Sequence, residues 1–302
     1  MLIRTILTEE LERFSTLSYK PQDFVGRLSY LWENGLSSPD MCFVAEDSNE
    51  FVSGIVYWAL PSLGNEIMLL DLFMNWENPT PVEKLLFKHS LNFFEDNGGK
   101  RIESRLFSDS TDFLFEKKNF FEKNGLPLIQ EKKNYKLKKH ILSVNNEEFD
   151  YKTLEEINEK EFIHALEKVS CKTLDSYENY LKNCDGNFKH ARDLFVALKD
   201  IDYRKDLWKI VTHKKYGFVG VLVCQIIEDH TGLINYIGVL PTLRNKGYGR
   251  LIFEHGVNLL KYRVDNVVMD VDVNNLPMIR ILNRSGFLRN YKVWIFKKEL
   301  KV

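Results

Sequence analysis

The sequence predicts an α/β (α+β) fold built as two similar domains in tandem, each a mixed, mostly antiparallel twisted sheet flanked by helices. An internal repeat is the first reason. EFVSGIVYW (50–58) resembles GFVGVLVCQ (217–225), with Gly54 on Gly220, and LLFKHSL (85–91) resembles LIFEHGV (251–257); the glycine pair and the second match each lie 166 positions apart. Two separate matches at one offset argue for a duplicated unit. A third, FFEKNGL (120–126) with ILNRSGF (281–287), is offset by 161, a five-residue difference that a surface loop absorbs. The second reason is the order of elements, in which short strand-like runs are followed by a helical stretch. The joint falls in the polar KKHILSVNNEEFD (138–150), giving domains 1–140 and 149–302.

The second half reads as follows. FDYKT (149–153) is strand-like, and Thr153 with Glu156 has the spacing of a capping box before a helix. Helical material continues through SYENYL (176–181) and HARDLFVAL (190–198). LWKIVTH (207–213), FVGVLVCQII (218–227) and LINYIGVL (233–240) are three strands with short polar connections, an antiparallel meander. A helix over 249–263 places residues 251, 252, 255, 256, 259 and 260 on one face. NVVMDVDV (266–273) reads as a strand, LPMIRILNRSG (276–286) as a helix and YKVWIFKKEL (291–300) as the last strand.

Composition narrows the function classes. The 302 residues carry a formal net charge of −1 with dispersed charges, which argues against a partner recognised by its phosphate backbone. The four cysteines, Cys42, Cys171, Cys184 and Cys224, form no CxxC pair and read as reduced thiols, with no metal site expected. The first residues, MLIRTILTEELERF, lack a cleavable signal pattern, and no apolar run approaches the roughly 18 residues of a membrane span. A cytoplasmic protein with no membrane and no nucleic-acid partner is the expectation; oligomeric state stays open.

VLPTLRNKGYGR (239–250) joins a strand to a helix through two glycines and three basic residues. A helix start leaves its first amides without partners and carries a partial positive charge. Glycine lets backbone approach an anion closely. Gly247 and Gly249 are therefore expected to cradle a pyrophosphate, with Arg244, Lys246 and Arg250 at the rim. This is neither the P-loop pattern nor GxGxxG, because Ile252 stands where the third glycine belongs.

Val239-Leu-Pro241-Thr-Leu-Arg244-Asn-Lys-Gly247-Tyr-Gly249 closely resembles the acetyl-CoA-binding motif of the GNAT N-acetyltransferases. Asn275, followed eleven residues later by Gly286-Phe287, has that family's downstream spacing. The resemblance covers the second half in element order, and the first half looks like a degenerate copy. It implies acetyl-CoA as acyl-donor co-substrate, held by Arg244, Asn245, Lys246, Gly247, Tyr248, Gly249 and Arg250 and by backbone amides around Ile237 and Val239, with Asn275 on the pantetheine arm. Carrying the 166 offset back places Asn78, Pro81 and Glu83 where the second half has Arg244, Gly247 and Gly249. Prolines remove N–H donors and Glu83 brings negative charge, so only the second half is expected to bind the cofactor. The same offset puts His89 under His255, which favours a packing role for that histidine.

Acyl transfer to an amine needs a proton acceptor, since an ammonium of pKa near 10.4 is not nucleophilic at pH 7. The resemblance implies such a group on strand 233–240, where only Asn235 and Tyr236 are polar; Tyr236 is the catalytic candidate, as a relay through water. Glu228 and Asp229, in the preceding turn, read as solvated. Where many family members carry a tyrosine general acid, seven residues after the asparagine, this chain has Leu282; Asn283, Tyr248 or water would substitute. The acceptor region is 170–205, where Tyr177, Tyr180 and Asp185 have the chemistry to hold a cation. The reading is an acyl-CoA-dependent N-acyltransferase acting on a primary amine of a small molecule or peptide; the alternative is an acyl-CoA-binding sensor or scaffold without turnover.

Overall fold

The computed structural model describes residues 1–59, 66–138, 147–227 and 230–300. The chain packs as two compact units, residues 1–129 with 294–302 and residues 130–293, so the first unit is built from two separate lengths of sequence and the second from one. Most of the expected joint, residues 139–146, lies outside the described residues, as do Glu228 and Asp229.

The first unit contains β1 (Leu2–Thr5), α1 (Leu11–Ser15), α2 (Pro21–Glu33), β2 (Cys42–Asp47), β3 (Glu50–Ala59), β4 (Glu66–Phe73), α3 (Pro81–Asp96), β5 (Arg101–Phe107) and α4 (Leu114–Lys123). Its sheet runs β1-β2-β3-β4-β5, antiparallel as far as β4 and parallel between β4 and β5. The segment Trp294–Glu299 lies next to β5. Phe43, Tyr57, Phe87, Phe94 and Phe121 pack on one face with Trp294 and Phe296. Phe14, Phe24, Val44, Val56 and Phe73 pack as a separate cluster.

The second unit holds most of β6 (Leu128–Leu137), then β7 (Phe149–Thr153), α5 (Glu159–Ser170), α6 (Ser176–Asp185), α7 (Asn187–Ile201), β8 (Trp208–His213), β9 (Gly217–Ile227), β10 (Thr231–Val239), α8 (Tyr248–Leu260), β11 (Asn266–Asp272), α9 (Leu276–Arg284) and the start of β12 (Phe287–Glu299). The strand order is β12-β6-β11-β10-β9-β8-β7. The meander β8-β9-β10 is antiparallel and β10–β11 is parallel. β9 is buried along nearly its whole length, as its unbroken apolar run requires of a strand covered on both faces.

Two local expectations shift. The bonds of the Thr153–Glu156 box form, at 2.7 and 2.8 Å, but they close a turn. Leu154 donates to the carbonyls of Trp208 and Lys205, which holds the chain extended, so the helix begins at Glu159 with Asn158 as its cap. On α8 the buried residues are Ile252, Phe253, Glu254, Gly256, Val257 and Leu260, a stripe turned from the expected one. Gly256 sets that contact, since a Cβ there would stand 3.1 Å from Leu222 and 3.2 Å from the Cys224 sulfur.

The tail of β12 brings a charge into the first unit. Lys297 is fully buried, and its Nζ lies 2.9 Å from Glu66 and 3.1 Å from Glu103. Arg101 bridges Glu66 and Glu299 beside it. Removing one partner of such a pair leaves an uncompensated buried charge. Lys297→Met is expected to destabilise the first unit by about 3–5 kcal/mol in urea unfolding. Adding Glu103→Leu should recover part of that loss, and an additive double variant would show that the pair does not couple.

Candidate active site

The site begins where two strands part. β10 pairs with β11 only through Thr231, Gly232 and Leu233, then diverges. Leu240 donates to the Val219 carbonyl on β9 at 2.9 Å. Because successive amides of a strand point to opposite edges, the N–H groups of Ile237 and Val239 face the side that β11 has left. A one-residue bulge at Asn235 interrupts the β9–β10 register between Ile234 and Tyr236. The extra residue swaps the faces beyond it. A Cβ on Gly232 would meet Leu260 of α8, whereas one on Gly238 would meet Val169 of α5. Tyr236, sharing the face of Gly238, is thereby turned toward α5 and α6. Asn235 itself donates to Gln225, whose amide holds the Leu198 and Asp202 carbonyls, so this candidate has a structural role.

Beyond β10 the chain reaches the glycine turn. Asn245 and Gly247 have φ of 64° and 85°, so the backbone curls before α8 starts. Among the described residues no side chain caps this helix. A Cβ on Gly247 would have nothing within 4 Å, and one on Gly249 would meet only Val239 Cγ2 at 3.8 Å. The helix start therefore carries free space and uncapped amides, the surroundings a pyrophosphate requires.

The corresponding helix of the first unit is closed. Thr80 caps α3 by accepting from Val82, and the Glu83 carboxylate folds back to accept from the Thr80 N–H at 2.8 Å and its hydroxyl at 2.6 Å. Pro81 occupies the first turn, and Glu83 is 5% exposed. The anion place at this helix start is filled by the chain's own carboxylate.

The expected rim charges divide. Arg244 makes four hydrogen bonds to carbonyls, those of Val239, Val169, Cys171 and Lys172, and so ties the end of β10 to the C-terminus of α5. Arg250 is exposed and pairs with Glu254 at 2.8 Å. Lys246 lies 5.3 Å over the Tyr216 ring. The Tyr248 ring packs against Phe149, His213 and Tyr216, leaving its backbone at the helix start. Asn275 caps α9 by accepting from Met278 at 3.3 Å. Leu282 is fully buried in the core, so α9 offers no proton donor at that position.

A cluster that sequence reasoning missed stands beside Tyr236. The residue is half-buried, but its phenol oxygen is enclosed; burial and the neighbouring Glu178 carboxylate raise its pKa well above 10, so it stays a neutral phenol. Glu178, on α6, is 8% exposed. Burial pushes its carboxyl up, but His190, Thr173 and Tyr236 together outweigh that and hold it below the usual range. His190 of α7 is 3% exposed, with Nε2 3.7 Å from Glu178 Oε1. Tyr177, Tyr180 and Asp185 lie on the same helix α6, with Asp185 paired to Lys189 at 3.2 Å. A Glu on the buried side of an amphipathic helix was the available signal, hidden among the dispersed charges of 170–205.

Residues 170–287 match the model of the acetyltransferase (GNAT) family. Solved structures agree at the level of fold. A GCN5-related N-acetyltransferase from Sphaerobacter thermophilus aligns over 100% of this chain and 96% of its own, with a TM-score of 0.64 at 13% identity. A tandem GNAT protein from the clavulanic acid biosynthesis pathway aligns over 99% of this chain and 98% of its own, at 0.54 and 12%. A glucosamine N-acetyltransferase region of a fungal multi-domain β-N-acetylglucosaminidase aligns over 98% of this chain and 38% of its own, at 0.59 and 13%. The fold is that of two GNAT-like domains. No curated protein matches the chain in sequence.

His255 packs as the repeat suggested, stacked on Tyr151 at 3.6 Å. Burial, with Lys209 adding, lowers its pKa to about 4. A folded-state histidine pKa below the unfolded value of about 6.5 means the unfolded chain binds the extra proton, so stability falls as pH drops from 6.5 toward 4. His255→Phe, which keeps the stack, is expected to remove about 1–3 kcal/mol of that decline. Parallel curves for wild type and variant in urea unfolding between pH 4 and 7 would refute this.

Proposed function

We propose that this protein is an acyl-CoA-dependent N-acyltransferase whose 149–302 domain holds acetyl-CoA, while the 1–140 domain does not. The observation that carries the reading is the contrast between the two helix starts: α8 is uncapped with open space at Gly247 and Gly249, and α3 is sealed by Thr80 and Glu83. The backbone of Asn245 to Arg250, with Lys246 at the rim, would take the pyrophosphate. The inward amides of Ile237 and Val239 would bind the pantetheine arm and the thioester oxygen, with Asn275 alongside. When bound, the co-substrate supplies the activated acyl group, and the chain's residues orient it and handle protons. The acceptor is a primary amine of a small molecule or peptide, and the four free cysteines fit a reducing compartment such as the cytoplasm. No described helix is long and apolar enough to cross a membrane.

A second reading, an acyl-CoA-binding sensor without turnover, is favoured by one observation, the burial of Leu282 where a general acid would stand. Transfer to any amine removes it.

Titration calorimetry with acetyl-CoA tests the cofactor site. Wild type is expected to bind with micromolar affinity. Gly247→Pro cannot keep φ at 85° and should abolish binding. Gly249→Glu copies the closed helix of the first unit and should weaken binding at least tenfold without loss of folded signal. Equal affinity in wild type and Gly249→Glu would reject the phosphate turn.

A further inference from the structure

We propose that Tyr236, Glu178 and His190 form an enclosed proton relay that takes a proton from the acceptor's ammonium group at the splayed end of β10 and ends on His190. The inference rests on the acyl-transfer reading above and supplies the proton acceptor that β10 itself lacks.

Three observations carry it. The bulge at Asn235 aims Tyr236 at the α5–α6 side, where its hydroxyl adjoins Glu178. Among the described residues, Glu178 Oε1 and both ring nitrogens of His190 are buried without a hydrogen-bond partner. An unmet buried polar group costs about 1–3 kcal/mol, and a purely structural pair would be expected to close to hydrogen-bond distance. Instead the imidazole waits 3.7 Å from the carboxylate. Finally, the three groups come from three separate elements, β10, α6 and α7, which bring side chains distant in sequence into one cluster.

The other charged groups facing the cluster are Asp175, at the start of α6, Lys132 of β6, beside Asp175, and Arg244, on the Tyr236 side. Asp175 is pushed toward its neutral form by burial, and Arg244 is held on carbonyls. This leaves Glu178 as the ionised carboxylate next to Tyr236.

The chemistry balances as follows. An ammonium N–H bond breaks, and its proton goes to the Tyr236 oxygen as the phenol's own proton passes to the Glu178 carboxylate. Glu178 hands that proton to His190 Nε2, leaving imidazolium beside carboxylate and a neutral amine with a free lone pair. Imidazole suits the terminal position because a ring nitrogen of the neutral ring can accept a proton while the other carries one. A second proton, shed as the C–N bond forms, goes to the sulfur whose C–S bond breaks. The phenol is a conduit able to donate and accept at once, and its resistance to ionisation keeps it from becoming the base.

The test is thiol release from acetyl-CoA with a panel of primary amines of differing basicity, between pH 5.5 and 9. Acetyl-CoA affinity is measured by calorimetry for each variant. Wild-type kcat is expected to fall on the acid side at a pH that does not move with the amine's basicity. Glu178→Gln and Tyr236→Phe should keep acetyl-CoA affinity within about twofold while kcat drops about 10²-fold or more. His190→Gln should lose rate together with the acid-side fall, and Glu178→Asp should restore part of the rate. Wild-type rate and pH profile in Glu178→Gln or His190→Gln would overturn the relay. So would acetyl-CoA binding with no transfer to any amine at any pH. Absence of acetyl-CoA binding in wild type is a separate failure, which overturns the acyl-transfer reading and the relay with it.

Discussion

The separation of β10 from β11 after three paired residues is the constraint on which the site depends. A parallel ladder satisfies its amides by pairing, so a strand that leaves its neighbour early must offer those amides to something else. Here they belong to Ile237 and Val239. The parting is held by specific contacts. Gly238 sits under Val169 with no room for a side chain, and Arg244 clamps the Val239 carbonyl together with three carbonyls at the end of α5. An arginine that reads as a phosphate ligand thus fixes the geometry of the strand edge. The first unit repeats the feature: β4 and β5 pair through three residues, Glu66 to Met68, and a bulge at Leu70 in β3–β4 follows the parting. The opening is a property of the fold, and the two copies differ in what stands at its mouth.

That difference is a trade between stability and binding. A side-chain cap contributes about 0.5–2 kcal/mol to a helix, and α3 takes it in full through Thr80 and Glu83. α8 forgoes it, entering through two residues with left-handed backbone, one of them the non-glycine Asn245. A helix that gives up its cap keeps its first amides for a ligand. Glu83 supplies from within what an anion would supply from outside, so the start of α3 is satisfied by its own chain.

Much of this was legible in the sequence because it is written in backbone chemistry. Glycines 247 and 249 against Pro81 and Glu83 specify open and closed helix starts, and the repeat identified which half was which. The element order followed from periodicity, and Leu282 and His255 took the packing roles their positions suggested. What sequence did not disclose depends on side chains distant along the chain. Arg244 reaches 72 to 75 residues back to the end of α5, and Tyr236 meets Glu178 of α6 only because a bulge, with no signature of its own, turns it over. Glu178 looked like any helix carboxylate until its surroundings were known.

Asp272 shows how the acceptor side is assembled. It is 2% exposed, and one carboxylate oxygen accepts from Gln130 of β6 at 2.8 Å and from the Ser176 N–H at the head of α6 at 2.7 Å. The other accepts from the Asn274 N–H at 2.7 Å, in the turn that presents Asn275. One carboxylate therefore fixes the helix carrying Glu178 and the cap residue expected on the pantetheine arm. Its partner Gln130 lies in β6, the strand that closes the first sequence copy yet packs within the second unit. A copy whose helix start is sealed still contributes the strand that sets the register of the acceptor side. Deleting the first half would thus remove Gln130 and Lys132 from the wall around Asp175 and Asp272, which gives a physical reason for a duplicated fold to keep a half whose helix start is closed.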